Sequence, residues 1–162
     1  MERYEKEGEL VLRRPPLYHA KDLSRSDQRA LILHLLYTYE LHERASSLEA
    51  LIFTYERGFG CVIEPEGALF QELTGIVEHA DALEEEIKPF LANWRLERLS
   101  LMTRLILRYA MWELKIQGRD LALVINEAVE LAKGFGEADS YRFINGVLDA
   151  WIKRERIPET SV

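Results

Sequence analysis

Two stretches of the chain carry side chains whose types and spacing could recognise a ligand. Arg25 and Arg29 are four apart, which on a helix places them on one face. Two guanidiniums stacked there could grip adjacent phosphates of a single strand. The same pair also reads as solvated charge complementing Asp22 and Asp27. The second stretch is Asp139-Ser140-Tyr141-Arg142-Phe143-Ile144-Asn145-Gly146. It gathers a capping acid, an arginine, two aromatics and a glycine at the start of a helix, and exposed aromatics beside an arginine make a stacking platform for unpaired bases. Its plainer reading makes Phe143 a core residue and Gly146 a point of close helix approach.

Catalytic and metal chemistry find little support. His79 and Asp81 are two apart, as are Glu40 and His42, so neither pair shares a helix face. His34 has no Cys or His at ligand spacing. No metal or cofactor is expected. Glu84-Glu85-Glu86 reads as a solvated helix face, because acid/base work needs one carboxylate in a pocket with a raised pKa. Cys61 lacks a positioned histidine to activate it. Gly58-Phe59-Gly60 and Gly134-Phe135-Gly136 each follow a helical run, where C-capping explains them without a phosphate loop. The expectation is a protein that is not an enzyme.

The elements that must position these residues read as helices almost throughout. Ser24 or Ser26 can cap a first helix that buries Leu31, Leu35, Leu36 and Tyr39. Ser46-Ser47-Leu48-Glu49 offers a capping box for a second, with Leu48, Leu51, Ile52 and Tyr55 on one face and Gly58 and Gly60 at its end. Pro65 suits the first turn of a third, carrying Leu69, Phe70, Leu73, Ile76 and Val77. Asp81 with Glu84 makes a further capping box and predicts a fourth helix through Leu83 and Ile87 toward Phe90, stopped or bent by Pro89. Ser100 begins a fifth with Leu101, Leu105, Tyr109 and Trp112 inward, and Gly118 lies past its end. A sixth runs from Leu121 to Lys133, and Asp139 or Ser140 caps a seventh carrying Phe143, Val147 and Trp151. Strand-type alternation and solenoid-period repeats are missing, so the reading is a compact all-α bundle.

Composition sets the outer bounds. With 162 residues, 48% hydrophobic and 30% charged, the chain can bury a core without a staple and is not a disordered tail. Lys+Arg 21 against Asp+Glu 28 leaves a net charge of −7. That excludes coating nucleic acid by bulk charge while leaving room for a local basic site. Pro15-Pro16 marks residues 1–23 as an irregular arm ahead of a domain at 24–157 and a short tail at 158–162. Basic charge gathers at the arm's junction with the first helix: residues 1–9 are net −2, whereas residues 11–30 are net +3. The acidic start does not suit a signal peptide, and no run approaches the roughly 20 apolar residues of a membrane span. A lone cysteine makes no internal disulfide. The expected setting is the cytoplasm.

The string Val124-Ile125-Asn126-Glu127-Ala128-Val129-Glu130-Leu131-Ala132-Lys133, followed by Phe135-Gly136, Asp139-Ser140 and Phe143-Ile144-Asn145-Gly146-Val147-Leu148-Asp149, resembles the C-terminal signature of the NusB family. Leu105-Ile106-Leu107-Arg108 with Ala110 and Trp112-Glu113-Leu114 resembles that family's fifth helix, and Leu36-Tyr37 with Tyr39-Glu40-Leu41 the end of its first. The resemblance covers residues 24–153 and implies a seven-helix fold of two small helical bundles. It implies a non-catalytic transcription antitermination factor. Such a factor pairs with NusE, a small-subunit ribosomal protein, to bind boxA-type single-stranded RNA, and so acts indirectly on RNA polymerase with other Nus factors. Carried over by position, the implied RNA-binding residues are Arg25, Arg29, Asp139, Ser140, Arg142 and Phe143, and the implied NusE-facing residue is Tyr37. Members of the family occur as monomers and as homodimers that bury the RNA surface.

The chain departs from the family pattern in three places. Ser26, Asp27 and Gln28 stand where further bases are common, Thr103 where a NusE-facing glutamate is usual, and Asp120-Leu121-Ala122-Leu123 where prolines and a lysine precede the signature. An acid among phosphate-binding arginines repels the ligand, and Arg13, Arg14 and Lys21 of the arm are expected to compensate by folding over RNA. A protein-interaction module of the same fold with a weakened RNA site is the alternative. A third reading, a fragment of an RNA cytosine methyltransferase carrying a similar domain, lacks a catalytic cysteine motif.

Overall fold

The computed structural model describes residues 18–155, together with the backbone of two short strands nearer the N-terminus, β1 (Glu5–Lys6) and β2 (Glu9–Leu10), which pair antiparallel. Arg13, Arg14 and the tail at 158–162 lie outside the described residues. From Tyr18 onward the chain forms β3 (Tyr18–His19), α1 (Arg25–Leu41), α2 (Leu48–Phe59), β4 (Cys61–Val62), α3 (Ala68–Ile87), α4 (Leu101–Lys115), α5 (Leu121–Phe135) and α6 (Ser140–Glu155). Strands β3 and β4 pair in parallel and tie the chain's entry to the end of α2. Two residues per strand leave no alternation for a sequence to display.

The helix starts follow from local chemistry. Ser24 Oγ accepts from the Asp27 backbone N–H at 3.1 Å and donates to the Asp27 carboxylate at 2.8 Å. Ser47 caps Ala50 and Ser100 caps Thr103 in the same way. The Asp120 carboxylate accepts from Leu123 N–H at 2.9 Å, so the departure from the family pattern at Asp120 is a helix cap. Each such cap contributes about 1 kcal/mol. Helix α2 ends on Gly60, whose φ of 67° lies in the left-handed region that glycine enters without strain.

The described residues hold six α-helices where seven were expected. The third and fourth predicted helices are one, α3. Asp81-x-x-Glu84 satisfies a capping pattern, yet nothing breaks the helix there. No glycine or proline interrupts residues 78–87, and the buried stripe of Leu69, Leu73, Ile76, Ala80, Leu83 and Ile87 runs through the predicted boundary at unbroken helical spacing. Asp81 faces solvent and meets Arg44 at 3.4 Å. Pro89 does stop the helix, in a 3-10 turn at Lys88–Phe90. Pro65 lies ahead of the helix rather than in its first turn, since Gly67 is the N-cap.

Helices α1–α3 and α4–α6 form two halves around one continuous core. Their shared axis is α4, eleven of whose fifteen residues are buried. Gly75, mid-way along α3, is what lets α4 close up, because a Cβ there would stand 2.8 Å from the Trp112 ring. Among the described residues no helix is long and apolar enough to cross a membrane.

Candidate nucleic-acid interface

The first turns of α1 place the two predicted phosphate-gripping arginines very differently. Arg29 is only 2% exposed. Its Nε and Nη2 donate to the Glu113 carboxylate at 3.2 and 2.6 Å, and Glu127 lies 3.9 Å from Nη1. This corrects the expectation of a surface pair: the Arg29 guanidinium is an internal ion-pair partner. The reason was present in the spacing, since Arg29 lies three, four and seven residues before Ile32, Leu33 and Leu36 and so sits within the buried stripe of α1.

Arg25 remains partly exposed, and its Nη2 donates to Glu72 at 2.8 Å. Glu72 is buried on α3 and also receives Arg119 Nη1 at 3.0 Å and the Tyr109 hydroxyl. Arg119 reaches Glu113 as well, at 3.0 Å. Burial works against ionising Glu72, but the hydrogen bonds from Arg25, Arg119 and Tyr109 prevail and hold its carboxyl below the ordinary value. Burial and the Glu72 and Glu113 carboxylates push the Tyr109 hydroxyl up, so it stays a neutral donor. Three arginines thus face three glutamates, and the start of α1 is a neutralised network rather than a basic patch. Glu72 carries no local sequence signal for this role, because its partners Arg25, Tyr109 and Arg119 lie about 40 to 50 residues away. Arg119 is six residues from Glu113, but its link to Glu72 is equally remote.

A second network fixes the other end of α1. Arg108, fully buried on α4, donates to Glu40 at 2.8 Å and to Glu84, while Arg44 meets Glu40 at 2.9 Å and Arg104 meets Glu84 at 3.0 Å. The expected solvated face at Glu84-Glu85-Glu86 therefore holds for Glu85 alone. Glu84 is tucked against α4, and Glu86 pairs with Lys115.

The beginning of α6 retains the character of a recognition surface. Asp139 stands just before the helix at φ 64°, a left-handed conformation that Asp tolerates better than most residues. Its carboxylate is 75% exposed and 4.0 Å from Arg142 Nε. Neither expected side-chain cap forms. The Asp139 carbonyl takes the Arg142 N–H, and Ser140 Oγ is buried without a hydrogen-bond partner. Arg142 lies 5.7 Å over the Tyr141 ring and Lys133 lies 5.2 Å from the same ring. Phe143 is half-buried against the core and also lines a groove of about 240 Å³ with Asp139, Ser140, Trp94 and Arg98. Tyr141 lay within the sequence stretch, but Trp94, Arg98 and Lys133 come from other segments that only the fold brings near.

The two predicted regions lie toward opposite ends of α4, since Thr103 borders the groove and Glu113 holds Arg29. Ten residues of helix separate them by about 15 Å. Thr103 is buried and its Oγ1 accepts from Ser100 Oγ at 2.9 Å. Tyr37 is half-buried on α1, packed on the core with part of its ring open to solvent.

Six helices in two halves around a buried central helix, with an aromatic and cationic edge and no cluster fit to hold a metal among the described residues, are those of a small all-α recognition domain. The solved structure of Thermotoga maritima NusB matches it with a TM-score of 0.69 at 28% identity, over 84% of this chain and 94% of that one. The chain belongs to the NusB family, whose model matches residues 26–153. The transcription antitermination protein NusB of Nitratiruptor sp. is 41% identical over 137 residues, 80% of this chain and 92% of its own length. That of Staphylococcus epidermidis is 35% identical over 127 residues, covering 78% and 96%. A chain from a complex of the antitermination factors NusB and NusE with double-stranded RNA shares the fold, with a TM-score of 0.60 at 23% identity over 80% of this chain and 96% of its own.

Proposed function

We propose that the protein is a cytoplasmic, non-catalytic antitermination factor that binds boxA-type single-stranded RNA together with NusE and so supports transcription of ribosomal RNA operons. The observation that carries this reading is the groove at the start of α6, where Phe143, Asp139 and Arg142 lie together in a chain of the NusB family. Arg142 and Arg25 hold phosphates, Phe143 stacks a base, and Asp139 meets a base edge while Ser140 lines the groove beside it. Tyr37 faces NusE. Arg29 contributes by fixing α1 against α4 rather than by touching RNA.

The test is a titration of labelled boxA-like RNA, followed by anisotropy, with and without NusE at several salt concentrations. Tight, selective binding in the presence of NusE is expected, with a log–log salt slope of about −0.7 per phosphate contacted. Arg142→Ala should reduce that slope by about one contact, and Phe143→Ala should weaken binding at every salt concentration. One observation favours a second reading. The start of α1 is neutralised by Glu72 and Glu113, as suits a NusB-fold protein-interaction module with a weakened RNA site. NusE binding without any RNA binding would establish that reading instead.

A further inference from the structure

The connection between α3 and α4 is built to hold one large aromatic in the open. Leu91 and Leu96 are buried on either side of Trp94, and the Trp94 N–H donates to the Leu91 carbonyl at 3.0 Å. Ala92, two residues before it, takes a φ of 55°, a left-handed conformation that costs alanine roughly 1–2 kcal/mol. The segment is thus pinned at both ends, yet Trp94 is 57% exposed. Nothing in the fold's own packing requires a tryptophan there.

Trp94 and Phe143 both line the groove, one from the α3–α4 connection and one from α6. Arg98 adds a cation from the α3–α4 side, and the Asp139 and Glu137 carboxylates add acceptors from the α6 side. Ser140 lines the same wall, with its Oγ buried on the Gly136 side rather than open to the groove. Aromatic faces, an arginine and edge-reading acceptors are the parts with which proteins hold a single unpaired base.

We infer that this groove is a single-base pocket in which Trp94 stacks one unpaired nucleobase, Arg98 takes the adjoining phosphate, and the acceptors beside Ser140 select a base carrying an amino group. The inference rests on the RNA-binding reading above and adds a specificity site that the α3–α4 connection supplies. Carboxylates accept from the amino groups of adenine, cytosine or guanine, whereas uracil offers carbonyl oxygens on either side of its one ring N–H and is disfavoured. The groove, at about 240 Å³, has room for one base and not for a duplex.

The protein carries its own reporter. Trp112 and Trp151 are 3% and 0% exposed, so a ligand-dependent change in tryptophan emission reads Trp94. Full-length protein is titrated with an eight-nucleotide all-uridine RNA and with the same RNA carrying one central adenine or cytosine. Labelled boxA-like RNA is followed by anisotropy in parallel, with and without NusE. The amino-bearing oligonucleotides should quench Trp94 and bind more tightly than all-uridine. Trp94→Ala should weaken boxA-like RNA roughly 5- to 100-fold, while Trp94→Phe, which keeps a stacking face, should retain most of the affinity. Bound RNA with unquenched Trp94, normal binding by Trp94→Ala, or equal binding of all-uridine would each overturn the pocket and leave the broader function standing. No anisotropy change in the unaltered protein, even with NusE, would overturn both.

Discussion

Arg29 separates two physical accounts of the start of α1, and replacing it with methionine decides between them. Methionine keeps most of the buried stem, so the change isolates the guanidinium from the volume it fills. The lost groups are two hydrogen bonds to Glu113 and a 3.9 Å contact to Glu127. Removing one partner of a buried ion pair costs about 3–5 kcal/mol, chiefly because the other charge is left unpaired. Here Arg119 still holds Glu113 at 3.0 Å, which places the cost at the lower end, about 3 kcal/mol. For a chain of this size that is a fall of about 6–12 °C in Tm. Urea unfolding near pH 7, followed by far-UV circular dichroism, measures it. Replacing Glu113 with leucine as well should cost less than the sum of the two single changes, because the pair is then removed together. An unfolding midpoint indistinguishable from the parent's, coupled with weakened RNA binding, would refute the buried-staple account and return Arg29 to the RNA surface.

Acid should act on the same networks. Glu72 and Glu40 both have folded-state carboxyls held below the ordinary value of 4.5, against the pull of burial, by hydrogen bonds from Arg25 and Arg119 in one case and from Arg44 and Arg108 in the other. The unfolded chain therefore takes up protons first as pH falls. The stability they supply is complete above 4.5 and is lost as pH drops through the depressed folded values. Glu72→Gln should flatten the acid limb of a stability–pH profile, and an unchanged limb would contradict this. Gly136→Ala should destabilise by about 1–3 kcal/mol in thermal unfolding, because the added Cβ would stand 2.7 Å from the Ala132 carbonyl oxygen and 2.5 Å from Ser140 Oγ. Its φ of −85° suits alanine, so the clash alone is under test, and a variant as stable as the parent would show that the turn can yield.

What the residues revealed in advance was what depends on near neighbours. Ser24, Ser47 and Ser100 signalled helix starts because a cap reaches only three residues ahead, and Gly60 signalled an end because its conformation is its own. The Asp81 boundary misled for the same reason. A capping pattern is local, whereas the buried stripe from Leu69 to Ile87 that overrides it belongs to the whole fold. At the candidate site, the stretch from Asp139 to Phe143 was legible because its residues adjoin in sequence. For Arg29 the burial was legible in its helical spacing to Ile32, Leu33 and Leu36, but its partner Glu113, 84 residues away, was not. Trp94 and Arg98 escaped notice because a loop residue's meaning comes from the wall it faces, and Phe143 supplies that wall from a distant helix.

Helix α4 is enclosed on nearly every side, and that enclosure raises a problem of alignment. A rod greasy all round could rotate or slide among its neighbours at small hydrophobic cost. Charge removes the freedom. Arg104 and Arg108 reach Glu84 and Glu40 on one flank, while Glu113, five residues beyond Arg108 and so about 140° around the rod, reaches Arg29 and Arg119 on another. A turn about the axis or a one-residue slip would strand charges on both flanks at once. The ion pairs therefore work as a key cut at two depths, setting the angle and height of the helix on which the two ends of the candidate RNA surface are mounted.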